Sequence, residues 1–390
     1  MPQFLIIGGG IAGPIAALRL VQDGHKCTIF ERASKPHTIG GAVNLAPNGI
    51  RLFDRLGLRS EIEEKGCFVE SFEMKDEKGG VIGYLSNSSK DGFVSVRIMR
   101  SALQQIFLEA CRKKGVEVHF DKALELVEED DSEVGQVTAR FADGTTAVGD
   151  YLIGADGIHS KARAYVMDGK IKPVYTGTSI VYGILPTADL PRVDFTTMHA
   201  SIAVVTRRGL FATAFTNNEH SQLYWLSYRS IPAEKVDVVE TREQELERYR
   251  DVYSPVPEII AATTTFFAWD IYELPNLPRW SKGRVVLVGD AAHAFPPNQG
   301  QGVSQAIEDV SVLARVISKG ADLSRYYEIR YPRVVKLKQA FAPQSNNEER
   351  GPLGQRLRVL IFWLFLWVLK LFSWVSPWDQ FSYDVEKIKI

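Results

Sequence analysis

Cysteine is scarce in this chain: Cys27, Cys67 and Cys111 are the only three, far apart and without a C-x-x-C pair. That excludes a disulfide framework and a cysteine metal site, and predicts reduced, buried thiols in an intracellular protein. The seven histidines are scattered with no H-x-H or H-E-x-x-H spacing, so no metal is expected. An excess of either charge is also lacking. With 46 basic and 47 acidic residues the net charge is -1, which provides no field to gather nucleic acid. The apolar run at the N-terminus has neither a basic start nor a cleavage site, so it predicts a strand and no secretory signal.

Glycine, by contrast, is plentiful at 31 residues, and its placement is informative. Phe4 to Ile7 is an apolar run that breaks into Gly8-Gly9-Gly10-Ile11-Ala12-Gly13, continues with helical spacing to Leu20, stops at Asp23-Gly24 and returns as His25 to Arg32. The pattern is strand, glycine turn, helix, strand. Gly8, Gly10 and Gly13 fit G-x-G-x-x-G, in which the first glycine makes the turn, the second admits a pyrophosphate and the third lets helix and strand pack. Glu31 closes the second strand where a carboxylate accepts from ribose hydroxyls, and Arg32 follows it. A bound dinucleotide is expected.

Two later stretches have related character. Tyr151-Leu152-Ile153-Gly154-Ala155-Asp156-Gly157 is an apolar strand ending in small residues, followed by a helix start at Ser160. Asp156 is placed to fix a hydroxyl or a turn amide. Arg284 to Val288 is a buried parallel strand running into Gly289-Asp290, a proline turn with Pro296, and Gly300-Gln301-Gly302 opening a helix to about Ile317. Asp290 at a strand's carboxyl end is suited to a sugar-like hydroxyl, and the new helix offers amides to an anion or an electron-rich ring. Arg100 opens a further helix, to about Lys114, and is placed to reach a phosphate. His293, beside Asp290, reads as a packed turn residue.

Between these lie antiparallel signals. Phe68 to Met74 and Val81 to Leu85 read as a hairpin; Ala123 to Glu129, Gln136 to Phe141 and Thr146 to Ile153 as a three-stranded flap. From about Gly169 to Lys282, strand-like runs recur and are rich in aromatics, with one helix at about Arg242 to Val252. Aromatic strands of this kind usually form only core; if one face is open, Tyr182, Phe211, Phe215 and Tyr224 are the candidate lining of a flat hydrophobic pocket for a ring-shaped substrate. His220 and Arg229 are weaker candidates in the same sheet. Near the C-terminus, residues 356–376 are apolar all round if helical, with Lys370 toward one end. Such a stretch is buried in lipid or in protein. Membrane association and a docked cover or dimer helix both remain open.

Taken together, the three glycine-containing stretches resemble the class A FAD-dependent monooxygenases, typified by para-hydroxybenzoate and salicylate hydroxylases and similar in length to the tetracycline-inactivating monooxygenases. The resemblance covers roughly Phe4 to Arg333. It implies an α/β fold: a Rossmann-like FAD-binding domain in three parts (1–70, 94–168, 281–345), an inserted antiparallel β-sheet substrate domain (71–93, 169–280), and a C-terminal hydrophobic helix and tail (346–390). It further implies that Gly8, Gly10, Gly13, Glu31, Arg32, Arg100, Asp156, Gly157, Gly289, Asp290, Pro296, Gly300, Gln301 and Gly302 hold FAD, and that Gly41, Ala42 and Val43 lie near the flavin ring. Ser304 stands where many members carry Asn. Tyr383-Asp384 matches a terminal pair that covers the substrate domain.

The implied reaction uses NADPH, or NADH, and molecular oxygen to hydroxylate or epoxidise a hydrophobic, aromatic or polycyclic small molecule through a flavin C4a-hydroperoxide, in specialised metabolism. No catalytic base is assigned. The competing expectations are a flavin-fold binding or escort protein without turnover, and a Baeyer-Villiger enzyme or halogenase on the same fold; no W-x-W-x-I-P supports the last.

Overall fold

The computed structural model describes residues 1–36, 40–130, 135–169, 171–195, 198–206, 209–230, 242–297, 300–340 and 380–390. The apolar stretch 356–376 lies outside them, as do Asn298 and Gln299. Among the described residues no helix is long and apolar enough to cross a membrane.

The first strand, Gln3–Ile7, sits inside a six-stranded sheet between Tyr151–Gly154 and Lys26–Phe30, with Val285–Leu287 beyond the former and Glu117–His119 beyond the latter. These five pair in parallel; only the edge strand Ser281–Lys282 is antiparallel. A parallel sheet is covered on both faces, which is why Phe4, Leu5, Ile6, Leu152, Ile153 and Val285 to Val288 are all apolar and buried without alternation. The helices Ala12–Gln22 and Lys161–Val166 and a three-stranded flap pack on the sheet, while Arg100–Lys113 and Gly302–Ser318 pack on Ala12–Gln22 in turn. Their spans agree with the sequence expectations to within a few residues.

Two strand expectations are corrected. Thr146 to Ile153 is two strands: Thr146–Gly149 closes the flap with Val137–Phe141 and Leu124–Glu129, while Tyr151–Gly154 enters the parallel sheet. Gly149 allows the split, because a Cβ there would lie 2.9 Å from the Leu5 side chain. Phe68 to Met74 likewise divides. Cys67–Val69 joins a small sheet with Ser95–Met99 and Ala42–Leu45, and Ser71–Asp76 pairs with Val81–Ser86.

That hairpin extends a seven-stranded sheet made otherwise of Val174–Pro186, Ser201–Thr206, Gly209–Phe215, Gln222–Ser230 and Phe266–Glu273. Arg242–Tyr249 and a helix not expected from sequence, Val256–Ala262, pack on one face. The other face turns toward the Ala42–Leu45 strand. All three cysteines are free and buried, and burial pushes the Cys27 and Cys111 thiols up to about 12 and Cys67 up to about 11.

Candidate active site

The turn after the first strand is closed by contacts no side chain would permit. A Cβ on Gly13 would lie 1.9 Å from the Gly8 carbonyl oxygen, and one on Gly8, whose φ is +112°, would lie 2.3 Å from that of Ala155. Gly10 differs: the nearest atom to a Cβ there is Nη2 of Arg100, 3.9 Å away. The protein itself leaves room at the position where the motif requires a close approach.

Three distant stretches abut this turn. Glu31, 7% exposed, accepts from the Gly9 amide at 2.6 Å and the Ala33 amide at 2.8 Å. The Asp156 backbone lies 3.1 Å from where a Gly8 side chain would begin, and Gly289 approaches Ala12 and Ala306 equally, at 3.4 Å. The helix Ala12–Gln22 has no side-chain cap and no acid in its first turn, and the same holds for Gly302–Ser318. Two helices that pack on each other therefore begin without a compensating group, and an N-terminus of that kind attracts an anion. Removing the Glu31 carboxylate, as in Glu31→Ala, frees the two amides that it holds. FAD affinity is expected to fall about tenfold, the order of one charge-assisted hydrogen bond, read by titrating apoprotein with FAD.

Asp156 does two jobs. Its Oδ2 accepts from the Lys161 and Ala162 amides at the start of Lys161–Val166, which is the helix-capping role. Its Oδ1 is buried with no partner. Burial pushes this carboxyl up, against those hydrogen bonds. Asn44 Oδ1 is a second buried orphan, and Asn44 packs against Gly300, where a Cβ would meet its own at 2.6 Å. Asp290 and Arg32 are exposed, as is Gly302 at the N-terminus of Gly302–Ser318. Pro296 and Gly157 are half-buried. Arg100 is exposed and lies along Gly40, 3.6 Å from where its Cβ would be, with its amide donating to the Gly41 carbonyl.

The substrate-sheet candidates divide by strand alternation. Tyr182 and Tyr224 are buried on the face that packs against Ala42. Tyr182 stacks on Phe267 with centroids 5.0 Å apart, and meets Tyr224 at 5.6 Å and Trp269 edge-on at 5.5 Å. The Tyr224 ring and hydroxyl lie 3.1 Å from a Cβ placed on Gly41, so this wall touches the Gly41-Ala42-Val43 segment directly. Phe211 and Phe215 are on the opposite face. Phe211 stacks on Trp225 and Tyr249, and Phe215 on His220 at 4.0 Å, in a closed core beneath the two helices. Both are fully buried there, on the side of the sheet away from Tyr182 and Tyr224. Arg229 is also withdrawn, in a buried ion pair with Glu245 at 3.1 Å.

Gln301 is wholly buried, and its side chain is bonded to Asn48 and Gln305. It belongs to a buried charged cluster that sequence reading missed. Glu308 accepts from Asn48, Arg330 and Arg333; Asp309 accepts from the Gly289 amide at 2.9 Å and from Arg330 at 2.9 Å, and pairs with His293 at 2.6 Å. His293 also packs on Trp280, as its turn position implied. The signal available in the sequence was an acid pair inside an otherwise apolar helix, with two arginines three residues apart in the next. Ser304 fits here too. Its hydroxyl accepts from the Ala46 amide at 3.1 Å, and Gly49 is so close that a Cβ would lie 2.5 Å from it. A larger residue has no space. Tyr383 and Asp384 pack on this domain, under Arg333 at 3.6 Å and against Arg55 at 2.8 Å, and not over the substrate sheet.

A sheet with two free helix ends over a glycine turn, flanked by an acid at a strand end, defines a dinucleotide-binding flavoprotein. The FAD binding domain family model matches residues 2–337, and the chain belongs to that family. Its class is that of the FAD-dependent monooxygenases. It is 31% identical over 380 residues to 3-amino-4-hydroxybenzoate 2-monooxygenase of Streptomyces platensis, covering 92% of this chain and 91% of that one. It is 26% identical to 6-hydroxynicotinate 3-monooxygenase of Pseudomonas fluorescens, covering 100% and 98%. The structure of Klebsiella pneumoniae HpxO with FAD and uric acid superposes with a TM-score of 0.74 at 27% identity, over 87% of this chain and 86% of that one.

Proposed function

We propose that this chain hydroxylates an aromatic ring compound, with FAD held between the glycine turn and the aromatic face of the substrate sheet. The observation that carries the reading is the contact of Tyr224 with Gly41, which puts a hydrophobic wall against the segment proposed to border the flavin ring. Asp156 Oδ1 and Asn44 Oδ1, two buried acceptors without partners, fit a ligand that supplies hydroxyl and N–H donors. When bound, FAD supplies the redox chemistry and oxygen activation.

The residues then divide the remaining work. Glu31, with Arg32 beside it, holds the adenosine end, and the amides from Ala12 onward receive the pyrophosphate, with Arg100 beside it. Asp156, Gly157 and Asp290 take hydroxyls along the chain of the cofactor, and Pro296 shapes the turn that precedes Gly300. The amides at Gly300, Gln301 and Gly302 place a positive helix end where negative charge develops on the reduced ring. Tyr182, Tyr224, Phe267 and Trp269 orient a flat substrate and exclude water. NADPH is the proposed reductant, oxygen the co-substrate, and the buried, unreactive thiols support an intracellular setting. Residues 356–376 support a contact with a membrane surface; their deletion is expected to leave the protein entirely in the soluble fraction.

Purified protein is expected to be yellow, to bleach with NADPH under nitrogen, and to regain colour in air with hydroxylated product from a phenol panel. A colourless preparation that takes up no FAD overturns the reading and favours a binding protein without turnover. Reoxidation yielding only hydrogen peroxide with every ring compound removes the hydroxylase assignment.

A further inference from the structure

Beside Asn44, already set against the cofactor, the small sheet carries two polar groups, on Ser95 and Arg97, that none of the assigned roles absorbs. Within Ser95–Met99, Val96 and Ile98 point into the core of the large domain. Successive strand residues face opposite ways, so Ser95 and Arg97 face the other side. Asn44 is paired directly across from Arg97 and shares its face, and Cys67 is paired on the other side. Three side-chain atoms on this face, Ser95 Oγ, Arg97 Nε and Asn44 Oδ1, are buried with no hydrogen-bond partner.

Arg97 is the costly one. It is 8% exposed, and among the described residues no carboxylate pairs with it and nothing accepts from its guanidinium; the Phe72 ring lies 5.8 Å from Cζ. A buried cation is normally paired, because desolvation without a partner is expensive. The ionisable groups whose charge reaches it are the hydroxyls of Tyr224 and Tyr228 and the Cys67 thiol. Burial pushes both phenols and the thiol up. All three are therefore neutral and leave the arginine's charge uncompensated. Tyr224 is the residue that touches Gly41. The unpaired charge therefore lies at the aromatic wall.

We propose that Arg97 is a specificity-determining residue that pairs with an anionic oxygen group on the aromatic substrate, a carboxylate or an ionised ring hydroxyl, with Tyr224 and Tyr228 beside it. This deepens the hydroxylase reading and rests on it. The arrangement selects charge as well as shape: a ring carrying the anion completes a buried ion pair, whereas its neutral isostere leaves the guanidinium unsatisfied.

The test uses the FAD-loaded protein and the absorption of bound flavin as the reporter of binding. One arm compares 4-hydroxybenzoate with 4-hydroxybenzamide; the other compares 4-nitrophenolate with 4-nitroanisole. In at least one arm the anion is expected to bind about tenfold or more tightly than its neutral partner, the usual scale for a charged hydrogen-bonded pair. That preference is expected to vanish in Arg97→Met and to return in part in Arg97→Lys. Because the free protein holds an unpaired charge there, Arg97→Met is also expected to melt no lower than wild type. The proposal is overturned if neither arm shows a preference, if the preference survives in Arg97→Met, or if that variant melts lower and releases FAD. Bleaching by NADPH, read separately, tests the hydroxylase reading whichever way this comparison falls.

Discussion

Gly10→Ala yields a protein that folds like wild type and holds little or no FAD. The nearest atom to the added methyl is 3.9 Å away in the protein, so the fold accepts it, and loss of glycine's backbone freedom from the unfolded chain adds a few tenths to about 1 kcal/mol of stability. The methyl instead occupies space proposed for the pyrophosphate. Gly13→Ala gives the contrasting result. Its methyl would meet the Gly8 carbonyl oxygen at 1.9 Å, so the turn itself must open, and both flavin and stability are lost. The paired measurements are flavin-to-protein absorbance ratio and the melting temperature of apoprotein. Full flavin occupancy in Gly10→Ala would place the pyrophosphate elsewhere.

Arg330→Met destabilises by about 3–5 kcal/mol, the usual cost of stranding buried charge. Arg330 is fully buried and donates to Asp309 at 2.9 Å, Glu308 at 2.6 Å and Gln305 Oε1 at 2.7 Å. Burial alone would push the two carboxyls up. Arg333 and Arg330 at Glu308, and His293 and Arg330 at Asp309, outweigh it and hold both below the ordinary range. A carboxyl with a lowered folded pKa stabilises the protein above its unfolded value and ceases to do so as pH falls through the folded one. Wild type is therefore expected to resist acid to below the ordinary carboxylate range, and Arg330→Met to unfold at higher pH. Urea unfolding at neutral pH and melting temperature against pH are the checks. An unchanged acid midpoint would remove Arg330 from this role.

What could be read from the sequence follows the range of the interactions involved. The glycine turn, its helix and the following strand are fixed by contacts within thirty residues, so Gly8 to Glu31 was legible in full. The sides of the substrate sheet were not. Tyr182 and Phe211 have similar composition around them, and only the covering by Val256–Ala262 decides that Phe211 and Phe215 lie in a closed core. The burial of the Gln301 side chain was equally hidden, since its partner Asn48 is 253 positions away. Arg97, three residues before the more conspicuous Arg100, is distinguished only by what fails to surround it. An absence of partners has no sequence signature.

The cluster around Glu308 also constrains how this protein can diverge. Asn48, Glu308 and Arg333 come from three separate helices, and replacing Glu308 strands both of the others in the dry interior. Descendants that alter Glu308 should therefore carry an accompanying change at Arg333, whereas a change at the exposed Trp269 strands no buried charge. Lineages of this enzyme would then differ most in what they oxidise and least in the charged knot behind the cofactor loop.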